Sequence, residues 1–220
     1  MELGGVGGQP LVTIKLYVEG GGDDSDAQRT ACRRGFRTLL EKAKLAGRMP
    51  RIVACGSRSE TYKRFCIAAR SAAADEFTCL LVDSEDPVED NTLPWAFLRA
   101  RQADRWEQPV GTTEESAHLM VQCMEAWFLA DPEAVQRFFG QGFRRNALPN
   151  RVDLEKVPKR DLLTALDGAT RGCAKKGQYH KGKHSFDLLA TLDHERLAAS
   201  SPYARRLFET LRAKAQVSGQ

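Results

Sequence analysis

Residues 11–24 read LVTIKLYVEGGGDD, and residues 77–86 read FTCLLVDSED. Each is a β-branched, apolar run that ends in an acid. The first closes on Glu19 and passes into Gly20, Gly21 and Gly22. The second closes on Asp83, with Glu85 and Asp86 next. Runs of six to eight such residues bounded by turn formers predict strands. Between them, 26–46 carries Phe36, Leu39, Leu40 and Ala43 at helical spacing with Gly47 as a stop signal. RIVAC at 51–55 predicts a short strand. Ser57 with Glu60 three positions later predicts a capping box and a helix to about Arg70. Strand, helix, strand, helix, strand predicts right-handed crossovers, hence an α/β fold with a mainly parallel sheet flanked by helices.

Outward from this pattern the chain is harder to read. Residues 84–116 are charged and hold three of the nine prolines. They predict an excursion with one short helix near 94–104. AHLMVQ at 117–122 predicts a fourth strand, CMEAWFLAD at 123–131 a helix, and Asp131-Pro132 the cap and first turn of another. A Gly/Arg/Asn-rich link at 140–151 leads to helices over 158–170, 185–192 and 202–215. The expected organisation is a leader over 1–10, an α/β domain over 11–135 with its insertion at 84–116, and a helical, basic extension over 136–220.

Composition sets the limits. In 220 residues, 42% are hydrophobic and 28% charged, the balance of a globular chain with a real core. No apolar run reaches membrane-spanning length, and MELGGVGGQP lacks the basic-then-apolar order of a secretory signal. The expected location is therefore the cytoplasm, with no membrane partner. Six scattered cysteines without CxxC spacing predict reduced, buried thiols rather than zinc ligands. The net charge of +4 is uneven: residues 1–134 hold 16 Lys/Arg against 21 Asp/Glu, giving −5, and residues 135–220 hold 17 against 8, giving +9. An acidic first part joined to a basic second part suits a cation site paired with a surface for a polyanion.

In a parallel α/β sheet, ligands bind beyond the carboxyl ends of the strands. If the two acid-tipped strands are neighbours, Glu19, Asp83 and Glu85 converge. Neither stretch carries a Lys or Arg among these acids, so they repel, and burial worsens the repulsion. A hard cation relieves it, and oxygen-only ligands suit Mg²⁺ or Mn²⁺. The three glycines would let backbone approach a phosphate, and Asp23 or Asp24 could reach back towards a metal or a water. The plainer reading of VEGGGDDSD is a strand, a turn and an acidic helix start.

Further along, His118, Gln122 and Glu125 fall at i, i+4 and i+7 and would share a face if this part were helical. Glu125 is either the outer side of an amphipathic helix or a further carboxylate facing the metal. RGCAKKGQYHKGKH at 171–184 has five Lys/Arg, two His and three glycines, and no acid. It predicts a loop in which Lys175, Lys176, Lys181 and Lys183 meet phosphates while Tyr179 and His180 stack on bases. The bland alternative is a solvated basic turn. Gly182 between His180 and His184 argues against a helical metal pair, and GVGG lacks the Lys-Ser/Thr of an ATP-binding loop.

LYVEGGGD followed by LLVDSED resembles the two acidic motifs of the Toprim fold of topoisomerases, primases and nucleases, with Glu85 where the second Asp of that pattern stands. Over residues 12–212 the chain is also similar to a bacterial family sharing the segments LYVEGGG, LLVDSEDP, HLMVQCMEAWFLAD and YHKGKHSF. Its members are described as Toprim-like and resemble partners of AAA/ABC-type ATPases in phage-defence loci. The resemblance implies a Toprim-like sheet and metal-dependent phosphoryl transfer on nucleic acid. It implies Glu19 as general acid/base or ligand, Asp83 and Glu85 as metal ligands, and an ATPase as partner. Two other readings stay open: a non-catalytic scaffold on such an ATPase, with an apolar patch near Trp95 or Trp106, and a small-molecule phosphohydrolase. The oligomeric state is left undecided.

Overall fold

The computed structural model describes residues 12–22, 25–150 and 153–216. The expected leader and Asp23 lie outside the described residues. The strands are β1 (Thr13–Val18), β2 (Arg51–Ala54), β3 (Glu76–Asp83) and β4 (Ala117–Met120). All pair in parallel, in the order β2-β1-β3-β4. The fold is α/β, consistent with a Toprim-like arrangement. The position of β1 and β3 as central neighbours follows from their composition, since both are apolar on two faces. Ile14, Leu16, Val18, Cys79 and Leu81 enter one core, whereas Tyr17, Leu80 and Val82 enter the other, which is the period-two alternation of a sheet covered on both sides.

Helices cover the two faces unequally. α1 (Asp26–Leu40) links β1 to β2, and α2 (Arg58–Arg70) links β2 to β3. The 84–116 excursion contains α3 (Pro94–Ala100), shorter than expected. α2 and α3 cover the smaller core through Phe65, Trp95 and Leu98. The larger core takes α1 and the chain beyond β4: a 3₁₀ segment (Met124–Ala130), α4 (Pro132–Phe139), α5 (Lys159–Thr170), α6 (Lys181–Leu189), α7 (His194–Ser200) and α8 (Pro202–Gln216). Phe36, Phe128, Phe139 and Phe208 are all buried there. Each such side chain stabilises the fold by about 1.5–3 kcal/mol relative to exposure. The helices after residue 136 thus share one apolar cluster with β1 and α1.

Several expectations change. In place of the α-helix expected over 123–131, Met124–Ala130 form a 3₁₀ segment, so His118, on β4, does not share a helical face with Glu125. α6 begins at Lys181, not at residue 185: Gly182 occupies its first turn, where helix propensity matters little. α7 was not signalled by the sequence; its cap is Asp193, whose carboxylate accepts from the backbone of Glu195 and Arg196. All six cysteines are free and buried. Among the described residues, no helix is long and apolar enough to cross a membrane.

Candidate functional site

Glu19 follows β1 directly and Asp83 ends β3. Because these strands are adjacent and parallel, both acids stand at the same carboxyl rim although 64 positions separate them. The ladder continues past β1: the Glu19 N–H donates to the Leu81 carbonyl at 2.9 Å. The Asp83 N–H in turn donates to Glu19 Oε2 at 3.0 Å. Glu85 joins them through a strained turn. It holds φ +66° and Gln122 opposite holds φ +57°, both left-handed values that cost a side-chain-bearing residue free energy. The strain is held by hydrogen bonds. The Glu85 N–H donates to the Gln122 carbonyl at 3.0 Å, and the Gln122 N–H donates to Ser84 Oγ at 2.6 Å. One ligand oxygen from each of Glu19, Asp83 and Glu85 lies within 4.8 Å of the others.

Glu125 is brought to the same place. Its side chain is 0% exposed, so it is not the outer face of a helix. Its Oε1 accepts from the Tyr179 hydroxyl at 3.0 Å, while its Oε2 is buried with no hydrogen-bond partner. Asp83 Oδ1 accepts from the Met124 N–H at 2.8 Å. Tyr179 therefore points inwards to a carboxylate instead of outwards to a base. The other groups of the basic stretch divide. Lys175, Lys176, His180 and Lys183 are exposed, with Lys176 Nζ 4.0 Å from the Phe138 ring centroid. Lys181 turns to the acids: its Nζ lies 3.5 Å from Glu125 Oε1 and 3.9 Å from Asp83 Oδ2.

The acids are not free of cations, as the local sequence implied. Besides Lys181, Lys159 at the start of α5 lies 2.5 Å from Glu85 Oε2. Arg58 Nη1 lies 3.8 Å from Glu19 Oε2. These cations come from helices far along the chain, so no local pattern announces them. Arg58 is also held elsewhere: its Nε and Nη2 donate to Asp104 at 3.2 and 2.6 Å, and its guanidinium lies over Trp106. Four carboxylates thus face Lys159, Lys181 and an arginine whose charge Asp104 already meets.

The electrostatic result is a rim that resists ionisation. Burial pushes the Glu19 carboxyl up; Arg58 and the Asp83 N–H pull it back only in part. Burial, then the Glu19 charge, holds Asp83 well above the usual aspartate range. Burial opposes the charge on Lys181, but Glu125 and Asp83 hold its ammonium well above the usual lysine range. His118 is fully buried and takes no part: burial, then Arg206, lowers it to about 3.

Gly20–Gly22 line a cavity of about 340 Å³ that opens beside Glu19 and Asp83. All three have positive φ. A Cβ on Gly21 would stand 2.9 Å from Arg29 Cα, and one on Gly20 would stand 3.0 Å from Phe186 Cζ. These glycines let α1 and α6 press against the loop, so their missing side chains serve the chain's own packing as well as the cavity wall.

Residues 18–212 match the family described as Domain of unknown function (DUF4276). The chain belongs to the DUF4276 family. No curated protein and no solved structure matches it. The DUF4276 match begins at the last residue of β1 and runs into α8, so it takes in Glu19, Asp83, Glu85, Glu125 and all three cations around them.

Do these residues fit a divalent ion? The donor set is oxygen-only, as Mg²⁺ and Mn²⁺ require. Burial raises the two central acids, and Glu125 Oε2 is a buried oxygen without a donor. Both features are relieved by a cation, and they fit.

Proposed function

We propose that this DUF4276 protein is a metal-dependent nuclease that hydrolyses phosphodiester bonds of DNA or RNA. One observation carries the reading: three carboxylates from the rim of two adjacent parallel strands offer oxygens within 4.8 Å of one another. Glu19, Asp83 and Glu85 would hold Mg²⁺ or Mn²⁺. Such an ion supplies charge stabilisation at the phosphoryl oxygens and a water that ionises near neutral pH. The chain's own residues do the rest. Glu19, with one oxygen fixed by the Asp83 N–H, keeps the other for a ligand or a proton. Lys181 and Lys159 place ammonium groups beside the rim, where a phosphodiester carries negative charge. The exposed Lys175, Lys176 and Lys183 supply salt-sensitive contacts to flanking phosphates. A cytoplasmic effector acting beside an AAA/ABC-type ATPase in phage defence completes this reading; it rests on the sequence resemblance alone.

The test is incubation with plasmid, single-stranded DNA and tRNA in Mg²⁺, Mn²⁺ or EDTA. Cleavage in metal only, lost in Glu19→Ala, is expected. Equal cleavage by Glu19→Ala, or no cleavage with either ion, would overturn it.

A second reading has its own observation. Lys159 and Lys181 already occupy positions beside Glu85, Asp83 and Glu125, as in a non-catalytic scaffold that has replaced metal by ammonium. The two tryptophans expected to mark its patch are used internally: Trp95 is buried, and Trp106 stacks on Tyr62 at 4.3 Å and carries Arg58 over its ring, while Leu93 and Val110 are exposed. The scaffold reading predicts that divalent ions leave the melting temperature unchanged.

A further inference from the structure

We infer that the cavity beside Glu19 and Asp83 takes one unpaired nucleotide, so that the substrate is a single-stranded or frayed nucleic acid rather than a continuous duplex. This rests on the nuclease reading and names the substrate class of the same site.

The cavity of about 340 Å³ is at the small end of ligand sites, which run from about 300 to 1,000 Å³. Its lining is of two chemical kinds. Glu19, Asp83 and Lys181 are charged, suited to a phosphate held with a metal. Phe186 and Met124 supply an apolar wall, and Gln28 a polar edge. The wall is one face of α6: Lys181, Gly182, Ser185 and Phe186 recur at helical spacing and all line the cavity. Phe186 is half-buried, seated on the loop at Gly20 and tilted against Phe36 at 6.4 Å, so its ring is held in place. An aromatic ring lining a nucleic-acid site can stack on any base, at about 1–3 kcal/mol per base. The Gln28 side-chain amide makes no hydrogen bond among the described residues. It lies between Gly22 and Gly182, with both a donor and an acceptor for a base edge. Bases inside a duplex present neither face nor full edge to a concave site; an unpaired nucleotide presents both.

Gly182 gives a clean block. It is exposed in the first turn of α6, and a Cβ there would meet Gln28 Nε2 at 3.0 Å. Gly182→Leu puts a side chain into the cavity lining beside Gln28 without removing a charge or a helix-compatible φ. The measurement is fluorescence anisotropy in Ca²⁺, with a parallel EDTA arm, using a labelled single-stranded oligonucleotide, the matching blunt duplex, and a nucleoside monophosphate as competitor. The single strand is expected to bind at least tenfold more tightly than the duplex. Gly182→Leu should lose at least tenfold on the single strand, and Gln28→Ala about threefold, with unchanged circular dichroism and unchanged Mn²⁺ affinity. Equal binding of strand and duplex, or Gly182→Leu binding like the native chain, would overturn the inference while leaving plasmid cleavage intact. Binding of the monophosphate alone would overturn it too. Tight single-strand binding without cleavage in Mg²⁺ or Mn²⁺ would sink the nuclease reading and leave the nucleotide cavity standing.

Discussion

Asp131 and Asp83 are both buried aspartates, and the chain treats them in opposite ways. Asp131 caps α4: Oδ1 accepts from the Ala134 N–H at 3.1 Å, and Oδ2 from the Asp193 N–H at 3.1 Å, with Arg196 Nη1 3.5 Å away. Both oxygens are matched by backbone, so this acid ties α4 to the start of α7. Asp83 has one backbone donor on Oδ1, its Oδ2 faces a lysine at 3.9 Å, and one of its oxygens lies within 4.8 Å of oxygens of Glu19 and Glu85. Glu125 beside it keeps Oε2 unmatched. Burial of a charge costs free energy unless hydrogen bonds or ion pairs offset it. The cap offsets that cost locally, whereas the rim leaves part of it for something the chain itself does not supply.

Substitutions can break this contrast in order of size. Asp83→Ala should lower metal-dependent cleavage at least about 10³-fold while circular dichroism stays native, because the residue acts through a ligand. Asp131→Ala should do the reverse. Losing a cap and a second helix tie costs about 1–3 kcal/mol, read as a melting temperature lower by roughly 2–10 °C, with cation binding unchanged. If Asp131→Ala abolished cleavage and kept its melting temperature, the distinction between the two acids would be wrong.

The pH dependence sharpens the same comparison. The folded-state values of Glu19 and Asp83 lie above their ordinary values near 4.5 and 3.8. Groups raised in this way favour the fold fully below the unfolded values, and that contribution is lost as pH rises through the folded values. In metal-free protein this contribution should therefore fade as pH rises above about 4, so the melting-temperature difference between Asp83→Asn and the native chain should grow with pH. At neutral pH Asp83→Asn should melt about 2–4 °C higher than the native chain, since it keeps an acceptor for the Met124 N–H and loses the buried charge. A lower melting temperature for Asp83→Asn at pH 7 without metal would show that its charge is fully matched by Lys181. The smallest effect concerns the exposed lysines. Neutralising Lys175, Lys176 and Lys183 together should flatten the salt dependence of nucleic-acid binding by about 0.7–0.9 in log–log slope for each phosphate they neutralise in the native chain. An unchanged slope would show these lysines to be solvated only.

The half of the site on β1 and β3 was legible because strand ends are local. An apolar run, an acid and a turn former state where a strand stops, and alternation with helices states that the strands run parallel. Glu19 and Asp83 follow from that. Lys159, Lys181 and Arg58 were not legible as neighbours of these acids, since α5, α6 and α2 approach the rim through tertiary packing alone. Gly182 misled for a related reason: a glycine that reads as a breaker costs little at a helix start, where backbone N–H groups lack intrahelical partners anyway. Tyr179 shows the limit of composition. Surrounded by lysines in sequence, it reads as a base-stacking residue, yet its hydroxyl donates to Glu125, and burial with that carboxylate raises it above the ordinary tyrosine range.

The most direct test is a titration of Mn²⁺ against the metal-free protein at neutral pH, following the electron paramagnetic resonance of the free ion. The account predicts that the signal of added Mn²⁺ is lost until the protein saturates, and that Glu19→Gln with Asp83→Asn abolishes this uptake while the fold is kept. Free-ion signal rising from the first addition, with the native chain no different from the double variant, would contradict it.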